Sequence, residues 1–220
     1  MSAMNVEEAR LNMIEHQIRP WEVLDQDVLD LLYAVKREDF VPAAYRMLAF
    51  SDLEIPIGHG EHMWSPKLEA RVLQELALKQ TDQVLEIGTG SGYFTALLAH
   101  RAKHVYSVEI QPELKASAEA SLRRAGVANV TVELGDGARG WTKHAPYDVI
   151  VLTGSTPVLP QELLQQMKTG ARLFAVVGDP PVMAARLITC TGEGVYSSVD
   201  LLETRIAPLT NALAGERFSF

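Results

Sequence analysis

Apolar residues recur at helical spacing from Val6 to Ile18 and again from Asp25 to Val35, and Asp25 stands where a helix N-cap belongs. Arg19-Pro20-Trp21 separates the two runs as a break, because proline disfavours helix in the residue before it. The pattern then becomes irregular from Phe40 to Pro66, a stretch rich in Pro, Gly and His. Loops of that length inside a compact domain usually serve function. A helix follows over 65–79. Beyond it a regular alternation begins: strand 83–87, helix 92–101, strand 104–109, helix 111–125, strand 129–134, strand 147–153, helix 160–168, strand 171–177. Such alternation predicts crossover units and a doubly wound, mostly parallel sheet in an α/β fold. Two more strands, 185–191 and 197–206, joined through Gly192-Glu193-Gly194, predict an antiparallel hairpin at one edge and bring the sheet to seven strands. Residues 1–80 read as N-terminal helices plus a substrate-side loop packed on a main domain of residues 81–220. Together they make one structural domain.

The segment from Val84 to Ala99 carries the chemistry. It reads as a buried strand, the turn Gly88-Thr89-Gly90-Ser91-Gly92, and a helix start. Glycines are needed there because the turn must bring bare backbone against a ligand, where a Cβ would collide or forbid the dihedrals. A dinucleotide fingerprint has the spacing G-x-G-x-x-G. Here the spacing is G-x-G-x-G, with Glu86 two positions before the first glycine and Tyr93 where the last dinucleotide glycine would stand. A second carboxylate, Glu109, ends the next strand about 20 residues on, where it can accept both hydroxyls of a ribose. A third element, Gly135-Asp136-Gly137, follows the strand after that, on the same sheet edge, with Asp136 placed to accept from an adenine amino group.

Composition narrows the class. The 220 residues suffice for one well-buried domain with an appendage. Hydrophobic residues make up 47% and charged residues 22%, a soluble globular balance rather than a disordered one. The net charge of −8 disfavours a nonspecific nucleic-acid partner, which calls for a basic face. Cys190 is the only cysteine, so neither a disulfide framework within the chain nor a thiolate metal cluster is available. The opening Met1–Arg10 lacks the basic start and apolar core of a signal peptide, and no segment reaches the ~20 apolar residues of a membrane helix. A cytoplasmic protein without a membrane partner is expected. No feature of the sequence marks an oligomeric state.

The glycine turn resembles motif I of the class I methyltransferases that use S-adenosylmethionine, with a Rossmann-like sheet. The resemblance extends further. Asp39-Phe40-Val41-Pro42, Ile55-Pro56-Ile57-Gly58-His59-Gly60, Ser65-Pro66, motif I, Gly135-Asp136-Gly137 with Gly140-Trp141, Tyr147 to Gly154, Pro160, Leu163-Leu164, Gly170 and Ala207-Pro208-Leu209-Thr210 occur in the order and spacing of protein-L-isoaspartate O-methyltransferases. The similarity covers most of the chain, and the Phe-Val-Pro and Ile-Gly-x-Gly elements are the particular ones. It implies S-adenosylmethionine as cofactor, S-adenosylhomocysteine as product and an isoaspartyl-containing peptide or protein as acceptor. Glu86, Gly88, Thr89, Gly90, Gly92, Tyr93, Glu109, Ile110, Gly135, Asp136, Gly137 and Thr153 are then the expected cofactor-binding residues.

One departure stands out. After Ile-Gly-x-Gly the family pattern is Gln-Thr-Ile-Ser-x-Pro, its Ser being the usual catalytic residue, whereas this chain has Glu61-His62-Met63-Trp64-Ser65-Pro66. Aligned on the proline, Trp64 takes the place of the Ser, Ser65 falls one position late, and Glu61 replaces Gln. An indole fills more volume than a hydroxyl and offers a single donor. Glu61 adds a negative charge where an isoaspartyl acceptor is itself anionic. Trp64, His62, Ser65 and His59 are therefore the catalytic candidates of a divergent member. A different methyl acceptor, or cofactor binding without turnover, are the competing readings.

Overall fold

The computed structural model describes residues 5–214; residues 1–4 of the opening segment lie outside them. Helix α1 (Val6–Met13) runs on through a π-helical turn, Ile14–Ile18, into a tight 3₁₀ turn at Arg19–Trp21 that ends on Glu22 with positive φ. Helix α2 (Gln26–Ala34) starts as expected on Asp25, whose carboxylate accepts the N–H groups of Asp27 and Val28. The irregular stretch contains more order than its composition predicts. Residues 43–48 form a 3₁₀ segment, and β1 (Ile55–Gly58) pairs antiparallel with β2 (Glu61–Met63) across a His59-Gly60 turn in which both residues have positive φ. Helix α3 (Pro66–Leu76) begins with proline at its first position, where the missing N–H costs nothing, and stops on Ala77 in the left-handed region.

The alternation then unfolds as β3 (Gln83–Ile87), α4 (Tyr93–Arg101), β4 (His104–Glu109), α5 (Pro112–Arg124), β5 (Val130–Leu134) and β6 (Tyr147–Leu152). The helix expected over 160–168 shrinks to one turn, α6 (Gln161–Leu164), because Met167 already pairs with Tyr147 as the start of β7 (Met167–Asp179). From β7 the chain turns over Pro180-Pro181 into β8 (Val182–Gly192) and then β9 (Val195–Glu203), both antiparallel. The expected edge hairpin is present. It begins three residues early, since the pairing of β7 with β8 runs unbroken from Arg172↔Thr189 to Asp179↔Val182.

The seven-stranded sheet has the order β5-β4-β3-β6-β7-β8-β9, parallel across its first five strands. Its central strands are apolar on both faces. Val84, Val149, Val151, Phe174 and Val176 face the cluster shared with α1–α5, while Leu85, Ile87, Ile150, Leu152 and Leu173 face a second cluster beneath α6 and Tyr147. Burial on both sides explains why β3 and β6 read as continuous hydrophobic runs rather than alternating ones. β4 and β6 flank β3 on opposite sides, so the order in which the chain adds strands reverses at β3 and a crevice opens beyond the carboxyl ends of the strands.

Candidate active site

A cleft of about 990 Å³, open solvent at its mouth included, lies in that crevice. Four strand ends build one wall. After β3, Gly88 and Gly90 have positive φ, and a Cβ on Gly88 would collide with the Thr153 hydroxyl that follows β6. That hydroxyl donates to the carbonyls of Ile87 (2.9 Å) and Gly88 (2.8 Å), tying two strand ends together. Glu109, buried at the end of β4, accepts from Gly90 N–H at 2.9 Å and from Gln111 N–H at 3.0 Å, so it clamps the glycine turn. After β5, Asp136 accepts from Ala138 N–H (3.0 Å) and from the Asn211 side chain (2.8 Å). Gly137 leaves room for Ile87, whose Cδ1 would lie 2.7 Å from an added Cβ. Gly88, Thr89, Gly90, Glu109, Ile110, Gly135, Asp136, Gly137 and Thr153 all line the cleft.

Three residues of the expected cofactor set do not. Glu86 is fully buried behind the turn, accepting hydrogen bonds from Thr95 and Ser107 at 2.5 Å each. Gly92 caps α4, with Ala118 pressed where its Cβ would be. Tyr93 points into the N-terminal layer, its ring against Phe40 and under the Arg37 guanidinium.

The opposite wall comes from the β1–β2 hairpin, the start of α3 and the segment 206–210. Ile57 reaches over Gly90, 3.1 Å from the position of an added Cβ. Glu61, His62, Met63 and Trp64 line the cleft behind it. The Trp64 indole is buried, 5.2 Å from Phe94 and 5.9 Å from Phe174 between ring centres, and its Nε1 has no partner among the described residues. Ser65 is held as the residue before α3, away from the cleft, because Pro66 opens that helix. His59 sits at the hairpin tip, 4.0 Å from Glu113, also outside the cleft.

The family model for protein-L-isoaspartate(D-aspartate) O-methyltransferase matches residues 8–214. The chain belongs to this family. It is 40% identical to a protein-L-isoaspartate O-methyltransferase of Pelobacter propionicus over 212 residues, 96% of this chain and 94% of the relative. It is 38% identical to the Vibrio atlanticus enzyme over 187 residues, 85% and 89% of the two chains. The fold matches that of a Plasmodium falciparum chain assigned to the same family and crystallised with S-adenosyl-L-homocysteine (TM-score 0.79, 17% identity, 94% of this chain and 99% of that one).

Within this family member the electrostatics of the cleft are one-sided. Glu54, Glu61, Glu69, Glu109 and Asp136 line it, and among the described residues no Lys or Arg does. Burial and the negative charge of Glu109 push the Glu61 carboxyl above its ordinary range, against a pull downward from His62 and His59. Glu69 was not anticipated. It is buried on the apolar stripe of α3 with Val72, Leu73 and Leu76, and burial raises it to about 7 against the pull of Arg37, which pairs with it directly. Arg37, itself buried, donates also to the Trp64 carbonyl at 2.7 Å. A charged residue on the apolar stripe of a predicted helix was the available signal for Glu69. Nothing local announced its partner 32 residues upstream.

Proposed function

We propose that this protein transfers a methyl group from S-adenosylmethionine to the carboxylate of isoaspartyl residues in peptides or proteins. The observation that carries the reading is the meeting, in one cleft, of the bare Gly88–Gly90 turn with the Glu109 and Asp136 carboxylates. The cradle suits a nucleoside. Carboxylate oxygens face where ribose hydroxyls and an adenine amino group need acceptors, and Ile110 and Val108 supply apolar cover. When bound, S-adenosylmethionine supplies a methyl group on a positively charged sulfur, an electrophile that a carboxylate can attack without a general base. The chain's own task is therefore alignment and exclusion of water. The Gly88–Gly90 turn fixes one partner, and Ile57, Met63 and Trp64 roof the place where the other must approach. The reading includes a cytoplasmic location, consistent with a lone, unpaired cysteine.

Trp64 and Glu61 favour a second reading, in which the acceptor is another small molecule or protein. A donor-poor indole and an extra carboxylate stand on the acceptor side, where an anionic group gains nothing from either. One experiment separates the two. Radiolabelled methyl transfer to an isoaspartyl peptide, with its aspartyl isomer as control, gives base-labile label on the isoaspartyl form alone if the first reading holds. Cofactor binding without label on either peptide moves the search to other acceptors.

A further inference from the structure

Five carboxylates line the cleft, and four of them are accounted for. Glu109 and Asp136 each hold two hydrogen-bond donors of this chain. Glu69 is paired with Arg37. Glu54 is exposed at the rim, where water serves it. Glu61 alone is both partly withdrawn from solvent and, among the described residues, without a hydrogen bond or ion pair. The hairpin register holds it there: Glu61 pairs with Gly58 across the tight His59-Gly60 turn, and the side chain two residues on, Met63, is buried on the same face. The negative charge of Glu109 acts on Glu61 across the cleft, and among the described residues the other titratable groups bearing on it are His62 and His59 of the same hairpin. A carboxylate left in that setting is stabilised by a cation; among the described residues no Lys or Arg lines the cleft, and His62 is the one basic side chain there.

We propose that Glu61 forms a subsite for the positively charged sulfur of S-adenosylmethionine, so that the protein binds this methyl-bearing form in preference to its neutral thioether product. The inference rests on the reading that the cleft holds this nucleoside, and it goes further by assigning a residue that distinguishes the two charge states. S-adenosylmethionine and S-adenosylhomocysteine share adenine, ribose, amino and carboxylate groups. The ratio of their affinities therefore isolates the charge on sulfur, and a loss of folding or of general pocket shape moves both affinities together.

The test is calorimetric binding of S-adenosylmethionine, S-adenosylhomocysteine and sinefungin, which carries an amine in place of the sulfonium, to the full chain and to Glu61→Gln. In the wild type both cationic ligands are expected to bind more tightly than the thioether. Glu61→Gln is expected to lower that preference by about five-fold or more, through weaker binding of the cations, as loss of a nearby, partly screened opposite charge requires. Equal loss for all three ligands, or an unchanged preference, overturns the assignment of Glu61 to the sulfur. No binding of any of the three to the wild type overturns the nucleoside reading itself.

Discussion

Glu86 offers a measurement in which charge and burial can be separated cleanly. It is fully buried; burial, opposed by hydrogen bonds from Ser107 and Thr95 and aided by the charge of Glu109, raises its carboxyl from 4.5 to about 8. One of its oxygens accepts both hydroxyls, and the other has no partner among the described residues. In the unfolded chain the group returns to its ordinary value, so between those two values the fold retains a proton that the unfolded chain sheds. The stabilisation from the neutral carboxyl is thus fully present below about pH 4.5 and is lost as pH rises through about 8. At about 1.36 kcal/mol per pH unit, the loss attributable to Glu86 is about 3 kcal/mol by pH 6.5 and on the order of 5 kcal/mol above pH 8. Glu86→Gln keeps the shape and an accepting oxygen but cannot ionise. Urea denaturation of both proteins across roughly pH 5 to 8.5, read as the difference between them, should show the variant gaining on the wild type by about 1.4 kcal/mol per pH unit until the curve flattens near pH 8. Taking the difference cancels Glu69, which titrates in the same direction in both proteins. Parallel stability curves would mean that Glu86 is ionised in the fold and that the burial argument fails.

Two further substitutions probe the cleft. Glu109→Ala removes an acceptor proposed for the ribose and also frees the N–H groups of Gly90 and Gln111; cofactor affinity by calorimetry should fall by about 1.5–3 kcal/mol, and an unchanged affinity would remove Glu109 from the site. Trp64→Ser replaces a ring packed on Phe94 and Phe174 with a small hydroxyl and should cost about 3–5 kcal/mol of stability, with Trp64→Phe recovering much of it; a loss under about 1 kcal/mol would show that Trp64 does not serve the core.

The sequence by itself determined the parallel sheet, the glycine turn and the two carboxylates beyond it. Each is a local property: β3, the Gly88–Gly92 turn and α4 lie within twenty residues, and once strands alternate with helices the carboxyl ends of β3, β4 and β5 are bound to share an edge. Gly92 and Tyr93 belong to the same run, yet they turn away from the cleft, because α4 begins there and carries its side chains toward α5 and the N-terminal layer. Only the tertiary structure decided the other wall. The β1–β2 hairpin lies in a stretch whose Pro, Gly and His obscure any period, and the approach of its Ile57 to Gly90 is a tertiary contact that no local pattern shows. Arg37 with Glu69, and Asn211 with Asp136, join residues 32 and 75 positions apart, pairings that follow from how the layers stack. Whether Trp64 packs or faces solvent was equally open until Phe94 and Phe174 closed around it. A chain's periodicity encodes which face of each element is apolar; which charged groups then meet across the crevice depends on the packing of whole elements, and it is there that Glu61, among the described residues, is left without a hydrogen-bond or ion-pair partner.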